Sequence, residues 1–173
     1  MVLFLLPLLF LIILLLSVHT LLYFVLPKRR KFSLKAKHAV VTGGSKGIGK
    51  ELAFYLIEKG CNVSIIARNE ADLKSACQDL QDAANSRGQH QQVRWYSVDL
   101  SKKYDEIEAV FDRIEHELGP INVLINNVGT VLQGAFDDLP MSACEEQMAL
   151  NFYSHVSCRC FTLTSHFIIR AEK

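Results

Sequence analysis

Charge is missing from the first 26 residues: of the 19 basic and 18 acidic residues in this chain of 173, none falls in residues 1–26. That excludes a fully soluble protein. Acidic residues are also missing from residues 28–37, where Lys28, Arg29, Arg30, Lys31, Lys35 and Lys37 stand without a counter-charge. Residues 38–173 carry 13 basic and 18 acidic side chains, a net of −5. Such a balance excludes a basic nucleic-acid-binding domain, and a hydrophobic content of 50% excludes intrinsic disorder. Cys-x-x-Cys pairs are absent. The five cysteines, Cys61, Cys77, Cys144, Cys158 and Cys160, are an odd number and fit free thiols rather than a disulfide frame. The six histidines share no metal-ligand spacing with them, so no metal centre is expected. Beyond residue 26 there is neither an internal repeat nor a low-complexity stretch.

Residues 1–26 are an almost unbroken run of Leu, Ile, Val and Phe. As a helix the run extends roughly 39 Å, against about 30 Å of bilayer hydrocarbon. A cleaved signal peptide needs a basic n-region, a shorter apolar stretch and a small-residue cleavage site, and none is present. Residues 1–26 are therefore read as a transmembrane anchor. Lys28-Arg29-Arg30-Lys31 beside it is a retention signal for the cytosolic side. A nuclear-localisation or lipid-binding patch is the alternative for the same cluster. Residues 27–37 then form a basic juxtamembrane linker, and a domain over 38–173 faces the cytosol. Asn62-Val63-Ser64 matches a glycosylation sequon, but in an apolar strand on that side it is a chance match.

From residue 38 onward, strand and helix patterns alternate. Strands are predicted over 38–42, 62–67, 93–98 and 121–125. Helices are predicted over 47–59, 70–86, 103–118 and 142–158, with Gly60 and Gly119-Pro120 as stops. Repeated βα units imply an α/β fold: a parallel, doubly wound, Rossmann-like sheet with helices on both faces.

The sharpest motif follows the first strand: Thr42-Gly43-Gly44-Ser45-Lys46-Gly47-Ile48-Gly49. Glycines between a strand and a helix let the backbone approach a pyrophosphate at the helix N-terminus. The second strand ends in Ile65-Ile66-Ala67-Arg68, where an acid would select NAD and Arg accommodates the 2′-phosphate of NADP. Lys46 adds a second cation on that side. Two cations and no acid at the strand end favour NADPH.

Together with the segments downstream, these residues resemble the short-chain dehydrogenase/reductase family, over residues 36–160. Thr42-Gly43-x-x-x-Gly47-x-Gly49 is similar to its cofactor loop, and the resemblance implies contacts from Gly43, Ser45, Lys46, Gly47, Ile48, Gly49 and Arg68. Val98-Asp99-Leu100 resembles the adenine-contacting segment, with Asp99 on the adenine amino group. Asn126-Asn127-Val128-Gly129 resembles the Asn-Asn-Ala-Gly segment beside the cofactor, with Val128 in place of Ala. Asn151 stands where the family keeps a helix Asn that holds a water in its proton relay, and is the candidate catalytic residue. The anchor, Ala67-Arg68-Asn69-Glu70, Ser97-Val98-Asp99-Leu100-Ser101 and Gly134-Ala135-Phe136-Asp137-Asp138-Leu139 resemble one branch more closely. That branch implies reduction of a long-chain ketone lipid, 3-oxosphinganine, to sphinganine with NADPH at the endoplasmic reticulum membrane. One departure is Asp72, where the branch places a Lys that contacts the phosphate.

The family's Ser, and its Tyr-x-x-x-Lys on the helix after a fifth strand, do not appear, and the chain stops before that strand. The one Tyr-x-x-x-Lys spacing, Tyr55 to Lys59, lies on the first helix of the domain. Residues 38–173 are therefore expected to be an incomplete NADP-binding domain. If residue 173 is the true end, NADPH binding should be weak or absent, with no ketone reduction. Three readings stand: a lipid ketone reductase whose sequence is incomplete, a non-catalytic membrane-anchored NADPH-binding fragment, and another membrane reductase acting on a steroid, retinal or fatty acyl substrate. The expected partners are the lipid substrate and the membrane through residues 1–26, without nucleic acid, and with a homo-oligomer left open.

Overall fold

The computed structural model describes residues 2–25, 33–86, 90–102 and 104–171, with no side-chain description for 2–6, 25, 136 and 163–171. The chain divides into two units, residues 1–32 and 33–173. The basic cluster at 28–31, and with it most of the predicted linker, lies outside the described residues.

In the first unit, the apolar run forms one helix, α1 (Val2–Val25). Its stretch Pro7–Phe24 is long and apolar enough to cross a membrane. Two of its hydroxyls bond within the helix: Ser17 Oγ donates to Ile13 O at 2.8 Å and Thr20 Oγ1 to Leu16 O at 2.7 Å. A polar group that bonds its own helix is the form tolerated in hydrocarbon.

The second unit alternates as the sequence pattern requires: β1 (His38–Thr42), α2 (Gly47–Glu58), β2 (Asn62–Ala67), α3 (Glu70–Ser86), β3 (Val93–Ser97), α4 (Tyr104–Leu118) and β4 (Val123–Ile125). A 3-10 turn (Phe136–Asp138) precedes α5 (Met141–Met148), which passes through a π turn (Ala149–Tyr153) into α6 (Ser154–Ala171). The four strands of the described residues make one parallel sheet in the order β3-β2-β1-β4. This is the first half of the doubly wound order, with the reversal between β1 and β4.

Every residue of β1 is buried, as a central parallel strand covered on both faces must be. Alternation then sorts the two cores. Val41, Val63 and Ile65 face α2 and α3 through Ala53, Ile57, Leu73 and Leu80. Val40, Ile66 and Tyr96 face Ile107, Phe111 and Ile114 of α4, with Leu150 and Cys158 beyond. Phe161 on α6 lies against Tyr104 and Phe111, ring centroids 4.6 and 5.3 Å away. None of the five cysteines is joined in a disulfide among the described residues, and burial pushes the Cys158 thiol up to about 12.

β4 begins two residues later than predicted. Asn122 exchanges two hydrogen bonds with His38, its N–H to His38 O at 2.9 Å and its side-chain Oδ1 accepting from His38 N at 3.0 Å. A side chain thus stands in for one ladder bond, and the strand starts after it. The His38 ring, buried at the foot of the sheet, lies 2.7 Å through Nδ1 from Gly119 O and 2.9 Å through Nε2 from Ser64 Oγ. A carbonyl only accepts, so Nδ1 carries the proton and the Ser64 hydroxyl donates to Nε2. Burial lowers the His38 pKa, against the opposing pull of the Gly119 carbonyl and the Glu115 charge.

Candidate nucleotide-binding site

The carboxyl ends of β1, β2 and β4 surround a cleft of about 310 Å³ at the switch in strand order. It is lined by Gly43, Ser45 and Lys46 of the loop after β1, by Ala67 at the end of β2 and Arg68, Asn69 and Asp72 beyond it, by Val98 and Leu100 after β3, and by Asn127, Val128, Gly129 and Leu150. Open α/β sheets bind ligands at this position.

Local sequence explains the loop. The N-terminus of α2 has no side-chain cap, Lys46 in the N-cap position being extended at φ −158°. Its first N–H groups therefore have no partner from a capping side chain, which suits an anion. Gly47 has φ +56° and nothing within 4 Å of where a Cβ would stand, so the backbone there is open to a ligand. Gly49 has the opposite reason: a Cβ would overlap Gly43 O and reach within 2.5 Å of Asn127 Nδ2. Glycine there lets α2 close onto the loop.

Thr42 ties the loop to the strip after β4. Its Oγ1 accepts from Asn127 N at 3.0 Å and Val128 N at 3.1 Å, and donates to Ile125 O at 3.4 Å. Asn127 Nδ2 returns bonds to Thr42 O at 3.2 Å and Gly43 O at 3.3 Å. The far side of the strip is held by the helix. Thr130 N donates to Asn151 Oδ1 at 2.8 Å, and Asn151 Nδ2 to Thr130 O at 2.7 Å. His155 Nε2 lies 2.8 Å from Val128 O, and Asn126 Nδ2 donates to His155 O at 3.3 Å. Asn126 Oδ1 is buried without a hydrogen-bond partner among the described residues.

At the other end, Lys46 Nζ lies 3.8 Å from Asp72 Oδ2, both side chains partly in solvent. Asn69 Oδ1 accepts from Asp72 N at 3.1 Å, which caps the start of α3 beside Arg68. Burial raises the Asp99 pKa, but hydrogen bonds from Ser101 and the charges of Arg68 and Lys102 outweigh it and hold the carboxyl below its ordinary value.

Of the residues singled out in the sequence, Gly43, Ser45, Lys46, Arg68, Leu100, Asn127, Val128 and Gly129 line the cleft. Gly47, Ile48 and Gly49 form the first turn of α2 beside it. Asp99, Asn126 and Asn151 do not line it. Asp99 accepts from Ser101 N at 3.0 Å and Ser101 Oγ at 2.7 Å. Tyr55 is half exposed on α2, with Lys59 Nζ 4.9 Å from its ring centroid, and neither residue lines the cleft. Sequence reasoning missed His155. Its signal was position alone, four residues after Asn151 and so on the same side of a helix.

A parallel sheet with a glycine loop, an uncapped helix and a cleft at the strand switch is the arrangement of the nucleotide-binding α/β domains. The short chain dehydrogenase family matches residues 37–170, and the chain belongs to that family. It is similar to the 3-ketodihydrosphingosine reductase of Mus musculus, 37% identical over 138 residues, which cover 79% of this chain and 41% of that protein. The 3-dehydrosphinganine reductase of Danio rerio is 34% identical over 139 residues, again 79% of this chain and 41% of the relative. The chain thus spans about two fifths of the length of these curated relatives. Among solved structures, the F189W actinorhodin polyketide ketoreductase with NADPH has a TM-score of 0.70 at 26% identity, over 79% of this chain and 49% of that one.

Proposed function

We propose that this chain binds NADPH in the cleft and forms the cofactor half of a membrane-anchored reductase that converts 3-oxosphinganine to sphinganine. The observation that carries the cofactor reading is the pair of cations, Arg68 and Lys46, at the end of a cleft whose middle is an uncapped helix N-terminus. Gly43 to Gly49 would hold the pyrophosphate on backbone N–H groups, and Arg68 with Lys46 the 2′-phosphate. Asn127, Val128 and Gly129 would face the far nucleoside. NADPH, when bound, supplies a hydride to a ketone. Asn151 spends its side-chain amide on Thr130, so a share in proton relay falls to its main-chain groups.

The substrate follows the names of the relatives, and a membrane-crossing helix on the same chain suits a lipid ketone. Lys28 to Lys31 after that helix supports a domain on the cytosolic side of the membrane, and the endoplasmic reticulum follows from the family branch the chain resembles. Titrating the full chain in detergent micelles with both dinucleotides tests the cofactor reading. NADPH should bind about tenfold more tightly than NADH, as one charge-assisted contact predicts. Equal affinity, or no binding of NADPH, would sink it.

One observation favours a second reading, a non-catalytic NADPH-binding fragment. Within residues 1–173 the one Tyr-x-x-x-Lys spacing, Tyr55 to Lys59, sits outside the cleft. Turnover of 3-oxosphinganine by this chain with NADPH would exclude the fragment; binding without turnover would favour it.

A further inference from the structure

The cleft runs in one direction. Arg68 and Asp72, with the Lys46 ammonium beside them, stand at one end, Gly43 to Ser45 in the middle, and Asn127 to Gly129 with Leu150 at the other. With the adenosine ribose read at the end of β2 and the pyrophosphate at α2, the second nucleoside falls on the Asn127–Gly129 strip. That strip follows a strand of three residues paired, among the described residues, to β1. Its geometry therefore depends on side chains that grip it.

Thr42 grips two of its N–H groups, and Asn151 grips Thr130 beyond it. The carbonyl between them belongs to Val128, and His155 Nε2 meets it at 2.8 Å. A carbonyl only accepts, so Nε2 carries the proton. Asn126 answers by donating to the main-chain carbonyl of His155. Of the two grips from the helix, Asn151 lies within the π turn at Ala149–Tyr153 and His155 two residues after it, and turns of this kind recur at functional sites. We propose that His155 is a positioning residue that fixes the Val128–Gly129 peptide for the nicotinamide half of the dinucleotide; the inference rests on the NADPH reading above. Without the imidazole, Val128 O loses its donor and the peptide is free to rotate toward the space the nicotinamide ribose needs.

The test compares two ligands on the full chain in micelles, with affinities read from NMR titration: NADPH, and adenosine 2′,5′-bisphosphate, which lacks the nicotinamide half. His155→Leu should weaken NADPH about fivefold, the loss of one hydrogen bond, and leave the bisphosphate within about twofold. His155→Gln, whose amide can donate to the same carbonyl, should restore NADPH to within about twofold of wild type. Should His155→Leu not fold, His155→Asn takes its place, its amide falling short of Val128 O, with the same selective loss expected. Equal weakening of both ligands, unchanged NADPH binding in the Leu or Asn variant, or a Gln variant no better than Leu would overturn the inference. Wild-type binding of the bisphosphate but not NADPH would overturn it while leaving the adenosine end of the cleft standing. Binding of neither would overturn the cofactor reading and the inference together.

Discussion

Replacing Thr42 separates two reasons for burying a threonine. The residue is 0% exposed, and its hydroxyl serves three main-chain groups, two as acceptor and one as donor. Thr42→Val keeps the shape and removes the oxygen, leaving the N–H groups of Asn127 and Val128 without that partner. A buried donor left unmade costs about 1–3 kcal/mol, and these two sit on a half-buried strip, so about 2–4 kcal/mol in total is expected. Thr42→Ser keeps the oxygen and removes one methyl, worth roughly 1 kcal/mol. The serine variant should therefore be the more stable by about 1–3 kcal/mol. Urea unfolding of the full chain can be followed by Trp95, the one tryptophan, which packs partly buried against the core. With ordinary denaturant slopes, the valine variant should lose about 1–2 M in midpoint and the serine variant about half a molar. A valine variant as stable as the serine variant, at unchanged slope, would refute the account: the methyl, not the hydroxyl, would then be what the site needs.

Two further outcomes are expected. Asp72→Asn removes a carboxylate from the end of the cleft where Lys46 and Arg68 stand. NADPH should then bind about two- to fivefold more tightly at low salt with NADH unchanged, the gain shrinking as salt rises; equal gains for both nucleotides would refute it. His38 has a folded-state pKa below the ordinary 6.5, so its contribution to stability is complete above that value and is lost as pH falls below it toward the lowered pKa. The stability of the chain should decline below pH 6.5 more steeply than that of His38→Gln, as measured by urea midpoints across pH 5 to 7; parallel curves would refute it.

Where the chain punctuates itself, its sequence was a sufficient guide. Gly60 and Gly119 end α2 and α4, and β1, β2 and α3 have the expected bounds, because period and stop residues act locally. The glycine loop was legible for the same reason. Missed features depend on partners distant in the chain. The start of β4 is set by Asn122 pairing with His38, 84 residues away. Lys46 and Asp72 were each noticed, one as a cation and one as a departure, but their approach to 3.8 Å needs the fold. His155 carried no motif at all, since what defines it is a carbonyl 27 residues away.

The bonds that build the cleft also set when it can exist. Those joining Thr42 and Gly43 to Asn127 and Val128 span 84 to 86 residues, most of the domain's described length. Parallel pairing of this separation forms late, because the loop-closure entropy comes before the contacts that offset it. A nucleotide would therefore recognise the chain only after β1 and β4 have met, with the three helices α2, α3 and α4 between them in the chain. Ligand at a hundred times its dissociation constant would then add about 2.7 kcal/mol to the closed state alone. In a newly made chain, a bound dinucleotide would therefore favour the assembled fold over its open precursors.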